Sequence, residues 1–389
     1  MSPSRLASKV HLWQSQLPSV KPFYAVKCNP DPHILHQLYD AGIGFDCAST
    51  RELLSVRDLG RFASDISGRV VYANPCKSER DLRTAKEVGS PTTVVDSVGE
   101  VVKLAGYQGG ALVRIAVDDT TSAMPFSSKF GAKMGDIDSI AKEARLSGLA
   151  LRGISFHVGS GCYDGRSYAK AIDDAYKCLV RLSYHGHSQA DTIDIGGGYL
   201  ADQGDFTKKA AHIRDAIMKV NMNELDEGNG VTWIAEPGRF FATHAFDFFV
   251  QVIGKKWSGG MWTYTIDDSL YGQFSSILFD HASPTWVRIR EDGAAPRKNG
   301  AGVIFGRTCD SVDVIAKAEH MEELEVDDWL WFPTMGAYTR ATASEFNGFP
   351  RPEVFVDDQI AELKSSAFHG QVPKGIRLMP PVTSRGFWS

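Results

Sequence analysis

Short apolar runs recur through the first 236 residues, and helical patterns fill the intervals between them. Eight runs read as strands: Pro22–Lys27, Gly42–Asp46, Arg69–Ala73, Thr92–Asp96, Ala111–Val117, Leu151–His157, Thr192–Ile195 and Val231–Glu236. Most are near-continuous rather than alternating, as strands buried on both faces are. In the intervals, Asp31-Pro32 reads as an N-cap followed by proline at the first helical position, with Ile34, Leu35 and Leu38 as the apolar stripe. Ser49-Thr50-Arg51-Glu52 has the spacing of a capping box, and residues 78–88, 97–106, 135–148, 165–186 and 207–221 supply further helices. Strands alternating with helices predict an α/β fold, a parallel (β/α)₈ barrel, with an open doubly wound sheet as the competitor. The positions of the chemistry favour the barrel. Lys27, Asp46, Asn74, Asp96, His157, Gly196–Gly198 and Glu236 all fall at or just after C-terminal strand ends, the face on which barrel enzymes carry their sites.

After residue 245 the pattern changes. Phe248–Ile253, Trp262–Ile266 and Trp329–Phe332 are strand-like and separated by Gly, Pro and Asp clusters, without long helical periodicity. The chain therefore divides into a barrel over 1–245 and a C-terminal all-β domain over 246–389. Composition narrows the classes of function. With 42 Lys and Arg against 47 Asp and Glu, the net charge of −5 leaves no basic excess for nucleic acid. No run approaches the length of a membrane span, and the N-terminus lacks the apolar segment of a secretory signal. Six cysteines without a C-x-x-C pair argue against a disulfide scaffold or zinc site and for a reducing, cytoplasmic setting.

Each candidate motif has an ordinary reading beside a chemical one. Lys27 ends a buried strand, where a desolvated amine couples readily to an aldehyde; it equally suits a lysine emerging into solvent. Asp194-Ile195-Gly196-Gly197-Gly198-Tyr199 offers backbone N–H groups to a phosphate, or is a tight turn. It is not the dinucleotide fingerprint, whose G-x-G-x-x-G spacing is absent. His157, in Phe156-His157-Val158-Gly159-Ser160-Gly161-Cys162, suits a hydrogen-bonded core imidazole as well as a catalyst. Glu236, in Glu236-Pro237-Gly238-Arg239, suits an ion-pair partner of Arg239. Glu52 has a complete role as a capping acid.

In order along the chain, PFYAVKCN, GFDCAS, YANPCK, KFGA, FHVGSGC, DIGGGY, EPGRFF, FDHA, TCDSVD and MGAYT with ASEFNGF resemble the eukaryotic ornithine decarboxylases, barrel-type enzymes dependent on pyridoxal 5'-phosphate (PLP). The resemblance spans about residues 10–356. It implies that Lys27 holds PLP covalently, that Glu236 pairs with the pyridine nitrogen so the ring can act as an electron sink, and that His157 stacks on the ring. Ser160, the glycines 196–198, Pro237, Gly238, Arg239 and Tyr338 would hold the cofactor and its phosphate, with Asp46 nearby. Cys309, from the partner subunit of a homodimer, would reprotonate Cα. Phe279, Asp280 and Asp310 would line the substrate end, the two acids binding the distal ammonium. The implied reaction is L-ornithine to putrescine and CO₂, in polyamine biosynthesis, with an antizyme-type protein as a regulatory partner.

Three departures accompany the resemblance. Pro125 stands where the family has an arginine, which predicts a site short of one positive charge. Phe279 stands for a tyrosine, deleting a hydroxyl expected at the phosphate. The family's first forty or so residues, including a strand of the β domain, have no counterpart, which predicts an open sheet edge. These departures leave two alternatives open: a diverged paralogue acting on another amino acid in specialised metabolism, and a catalytically silent, antizyme-inhibitor-like binding protein.

Overall fold

The computed structural model describes residues 1–60, 67–89, 91–224, 230–290 and 296–356. Among the described residues, ten strands lie in the first 241: β1 (Val20–Ala25), β2 (Gly44–Cys47), β3 (Val70–Tyr72), β4 (Thr92–Val95), β5 (Ala111–Arg114), β6 (Ser122–Met124), β7 (Leu151–Ser155), β8 (Ser160–Cys162), β9 (Thr192–Asp194) and β10 (Thr232–Ala235). Eight of them close a parallel barrel in the order β1-β10-β9-β7-β5-β4-β3-β2, with β1 pairing back to β2. The barrel is the one expected, with strand ends displaced by up to three residues, the most at β5, which ends at Arg114 rather than Val117. Phe23, Val71, Val94, Leu112 and Ile234 fill its interior, because inward-pointing branched and aromatic side chains are what a barrel of this size packs with. Strands β6 and β8 form a separate antiparallel pair that the apolar pattern does not announce.

Local chemistry sets the helices. Asp31 caps Pro32–Asp40 by accepting from His33 N at 3.0 Å, with Pro32 opening the helix. Ser49 accepts from Glu52 N at 3.3 Å, but the Glu52 carboxylate returns to Ala48 N (2.6 Å) rather than to Ser49 N. The capping box is therefore displaced by one residue at its acidic end. A helix not expected from the pattern, Pro3–Gln16, places Trp13 against Tyr199, Phe206, Phe240 and Phe241, with ring centroids 5.1–6.0 Å apart. That cluster backs the segments following β9 and β10.

The chain separates into one compact unit over Ala7–Phe241 and another formed by Met1–Leu6 with Ala242–Ser389, of which residues 357–389 lie outside those described. The expected boundary at 245/246 thus falls four residues earlier, and the first six residues join the second unit. The second unit holds β11 (Phe248–Ser258), β12 (Met261–Ile266), β13 (Val287–Arg288), β14 (Asn299–Phe305), β15 (Val314–Glu322) and β16 (Trp329–Phe332), in the sheet order β13-β16-β11-β12-β14-β15. Val250, Val252, Tyr264, Ile266, Phe274, Leu330 and Phe332 are its core. Among the described residues β15 is a long edge; Lys317, Glu319 and Glu322 along it are the charged residues that discourage further pairing.

Candidate active site

The barrel's C-terminal face gathers its titratable groups through strand register. Ala25 of β1 pairs with Asp46 of β2, so Lys27, in a single 3₁₀ turn (Val26–Cys28) just past β1, reaches across to it. Lys27 Nζ lies 2.8 Å from Asp46 Oδ2. The lysine side chain is 41% exposed and the aspartate wholly buried, so the ammonium stays open to a reactant while its counter-ion is fixed. Asp46 Oδ1 has no hydrogen-bond partner among the described residues.

Glu236, directly after β10, and Asp194, at the end of β9, form a buried carboxyl pair. Asp194 Oδ1 accepts from Gly196 N at 2.9 Å, whereas the buried Oδ2 has no hydrogen-bond partner of its own among the described residues. Burial and the nearby charges of Asp194 and Asp46 hold the Glu236 carboxyl well above the usual range, and burial also raises Asp194. A proton held between the two acids satisfies the orphaned oxygen and removes a repulsion that a low-dielectric site penalises. His157, two residues past β7, accepts at Nδ1 from Gly159 N (2.9 Å), which assigns its proton to Nε2. Desolvation, then the charges of Arg114 and Lys27, push its pKa well below the ordinary imidazole value. It is a neutral ring. Arg114, the last residue of β5, thus brings positive charge to bear on His157 and Glu236.

The loop after β9 has glycine where nothing else fits. Gly196 and Gly198 have φ of +66° and +103°, and a Cβ would come within 2.1 Å of Phe156 O and 2.5 Å of Gly159 O. Gly197 O accepts from Tyr168 OH at 2.8 Å. Arg239 Nη2 donates to Ser160 Oγ at 3.3 Å, which joins the segment after β10 to β8. Pro237 O accepts from Ala25 N (3.3 Å), and Gly238 packs where a Cβ would be 2.9 Å from that of Cys28, locking this turn to the lysine's turn. An amine, a protonatable carboxyl pair, a neutral imidazole, and a guanidinium with a hydroxyl and a glycine loop are the complement of an aldehyde, a pyridine nitrogen, an aromatic ring and a phosphate. The donor set fits PLP.

Cys309, Asp310, Asp280, Phe279 and Tyr338 belong to the second unit. Asp310 accepts from Tyr271 OH and from Val312 N (3.1 Å), and the tyrosine hydroxyl holds its carboxyl below the usual range. Tyr271 stacks on Phe346 with centroids 4.2 Å apart. Asn347 Oδ1 accepts from Cys309 N at 3.1 Å, and the thiol is exposed. Asp280 closes the short helix Ser276–Phe279, whose Phe279 is 63% exposed. Tyr338 is held at φ 55°. Motif reading passes over Asp194, Arg114 and Tyr271. Asp194 lies inside the quoted glycine motif and Arg114 at a strand end, whereas nothing in the local pattern marks Tyr271 as the partner of Asp310.

Residues 4–243 match the sequence model described as "Pyridoxal-dependent decarboxylase, pyridoxal binding domain". The chain is 38% identical over 353 residues to the chloroplastic ornithine decarboxylase of Nicotiana glauca, covering 88% of this chain and 79% of that one. Among solved structures it resembles the arginine decarboxylase of Paramecium bursaria Chlorella virus (TM-score 0.84, 35% identity, 91% and 94% of the two chains). It also resembles the lysine/ornithine decarboxylase of Vibrio vulnificus in complex with cadaverine (TM-score 0.81, 30% identity, 92% and 93%). With the family match over residues 4–243, the likeness of fold to these decarboxylases and its own donor set fitted to PLP, this chain is a member of the pyridoxal-dependent decarboxylase family and takes PLP as its cofactor.

Proposed function

We propose that this protein decarboxylates L-ornithine to putrescine and CO₂ as a homodimer with shared active sites. Bound PLP would supply an electron sink for the pair released when CO₂ leaves. Lys27 would hold the cofactor covalently, and its ammonium pairs with Asp46 until then. Glu236, backed by Asp194, would keep a proton at the pyridine nitrogen. His157 would lie against the ring as a neutral imidazole, adding no charge that competes with that proton. Ser160, Gly196–Gly198, Arg239 and Tyr338 would receive the phosphate, with Pro237 and Gly238 shaping the turn. Cys309 of one subunit would return a proton to Cα in the other's site.

The observation carrying the choice of a cationic substrate is Asp310, an acid held ionised by the Tyr271 hydroxyl beside the exposed Cys309 thiol. A carboxylate held ionised in this way is a ready partner for a cation, so an ammonium at the end of the substrate side chain would answer it, together with Asp280. Phe279 would border this end. The 38% identity to a plant ornithine decarboxylase supports ornithine. Relatives that act on arginine and lysine keep a second reading in play, a paralogue taking another diamino acid. CO₂ release from a panel of ornithine, lysine, arginine and norvaline, with PLP supplied, tests this. Turnover of ornithine far above norvaline is expected; equal turnover overturns the distal-ammonium assignment. A cytoplasmic setting and regulation by an antizyme-type protein belong to the same proposal.

A further inference from the structure

We propose that Phe126 is a positioning residue for His157, and that Asp119 is the anchor holding it there. The segment leaving β5 turns back over the start of β8. Ser122 and Met124 of β6 pair with Cys162 and Ser160, and the Ser122 hydroxyl donates to Val158 O. Asp119 is buried, and one of its oxygens, Oδ2, accepts from both Phe126 N (2.5 Å) and Ser127 N (2.7 Å). These are the leading N–H groups of a turn that closes with Lys129 N and Phe130 N both donating to Phe126 O, at 3.0 and 3.2 Å. A carboxylate on the leading N–H groups of a turn is a cap, here supplied from seven residues upstream. Ser127 Oγ adds a bond to Val117 O at 2.8 Å. Pro125 is exposed, has no N–H and has a fixed φ, so the donors turned onto Asp119 begin at Phe126.

The consequence is an aromatic edge. The Phe126 ring meets His157 with centroids 5.1 Å apart and planes at 65°. The Gly159 N bond fixes one atom of the imidazole and its tautomer, but a ring held at a single atom can still rock about that bond. Phe126 removes this freedom from the side, and an edge-to-face contact rewards one orientation over others. A leucine of comparable bulk offers no such preference. The cofactor half of this inference rests on the proposed function, in which His157 lies against the PLP ring; the orientation half concerns the apo protein alone.

The test uses ¹⁵N-histidine-labelled full-length apo protein, with the His157 signal assigned by its loss in His157→Gln. Wild type should show one Nε2-protonated tautomer whose titration lies below the ordinary imidazole range. Phe126→Leu, Phe126→Ala and Asp119→Ala should give averaged tautomers and a pKa moving up toward the ordinary value, and Phe126→Tyr should restore the wild-type signal. In PLP-loaded protein, cofactor release should be about three- to tenfold faster in Phe126→Leu than in wild type, with Phe126→Tyr unchanged. A His157 signal in folded Phe126→Leu identical to wild type overturns the positioning role, whatever the cofactor does. An altered signal with unchanged PLP release overturns the cofactor half. Failure of wild type to load PLP at Lys27 strikes instead at the proposed function.

Discussion

The two units carry their chemistry in opposite ways. In the barrel, the site groups are enclosed and committed to one another: Asp46 and Asp194 are fully buried, Lys27 reaches Asp46, and Asp194 lies against Glu236. In the second unit, Cys309 is exposed, and so are Leu278, Phe279, Val312 and Phe346 at 47%, 63%, 59% and 42%. Apolar residues standing in solvent, Val312 two residues from Asp310 and Phe346 stacked on Tyr271 among them, have the character of a surface that another body covers. The barrel residues are organised within a single chain, whereas the Cys309 loop presents its groups outward. The difference supports a composite site, with Cys309 serving a partner copy.

The largest effect tests this contrast directly. Lys27→Ala and Cys309→Ala should each abolish turnover, and borohydride should fix PLP to Lys27 in the wild type and in Cys309→Ala but not in Lys27→Ala. After subunit exchange, the mixed inactive variants should regain about a quarter of wild-type activity, because half the dimers are hybrids with one intact site. Absence of recovery despite demonstrated exchange would place Cys309 in its own subunit's chemistry, or in none.

Legibility from sequence follows the same divide. The barrel is readable because a strand covered on both faces must be apolar throughout, so eight runs stand out. Its polar exceptions at strand ends, Lys27, Asp46, His157 and Glu236, are then conspicuous. The three-residue strands β6 and β8 are too short for any periodicity, and β14 and β15 are masked by Gly300 and Gly302 and by a run of charges. The stripe Val10, Trp13 and Leu17 has helical spacing, but three apolar residues among polar ones are a weak signal; all three are buried. Asp194 escapes notice for a different reason. Its protonation depends on burial and on the neighbouring Glu236, neither of which spacing along the chain encodes.

A second test separates the units by kinetic signature. Asp310→Asn should raise KM for ornithine about a hundredfold, from the loss of one charged contact on the order of 3 kcal/mol, and leave PLP binding intact. Tyr271→Phe should do the same more weakly, because Asp310 keeps its Val312 N bond. Loss of PLP from either variant would mean that this loop supports the cofactor rather than the substrate.

In the barrel, the carboxyl pair predicts a stability effect with a definite sign. Glu236 and Asp194 have folded pKa values above their unfolded ones, so the native state binds more protons and apo stability falls as pH rises from the ordinary carboxylate range. His157 is depressed when folded, so its contribution is present above about pH 6.5 and is lost as pH falls below that value. Asp194→Asn removes one acid. The apo protein should gain on the order of 1–2 kcal/mol at neutral pH, while PLP binding weakens as the proton at Glu236 becomes easier to lose. Denaturant titrations of apo protein at pH 5 and 8 check this; a variant less stable than wild type at pH 8 contradicts it.

The smallest expected effect concerns the departures at Pro125 and Phe279. Pro125 is exposed, and Arg114 brings positive charge to bear on Glu236 and His157, so an added arginine brings less than its family counterpart implies. Phe279 is exposed too, on the unit that presents its groups outward. Pro125 does set where the Asp119-capped turn begins, and replacing it frees φ and adds an N–H that Asp119 has no need of. A Pro125→Arg, Phe279→Tyr double variant should therefore change PLP affinity and ornithine turnover by no more than about threefold, the range of surface substitutions away from buried networks, with any gain in PLP retention traceable to the tyrosine hydroxyl alone. A tenfold or larger improvement in both would show that these two positions suppress ornithine chemistry in this chain. It would turn the reading toward a substrate other than ornithine.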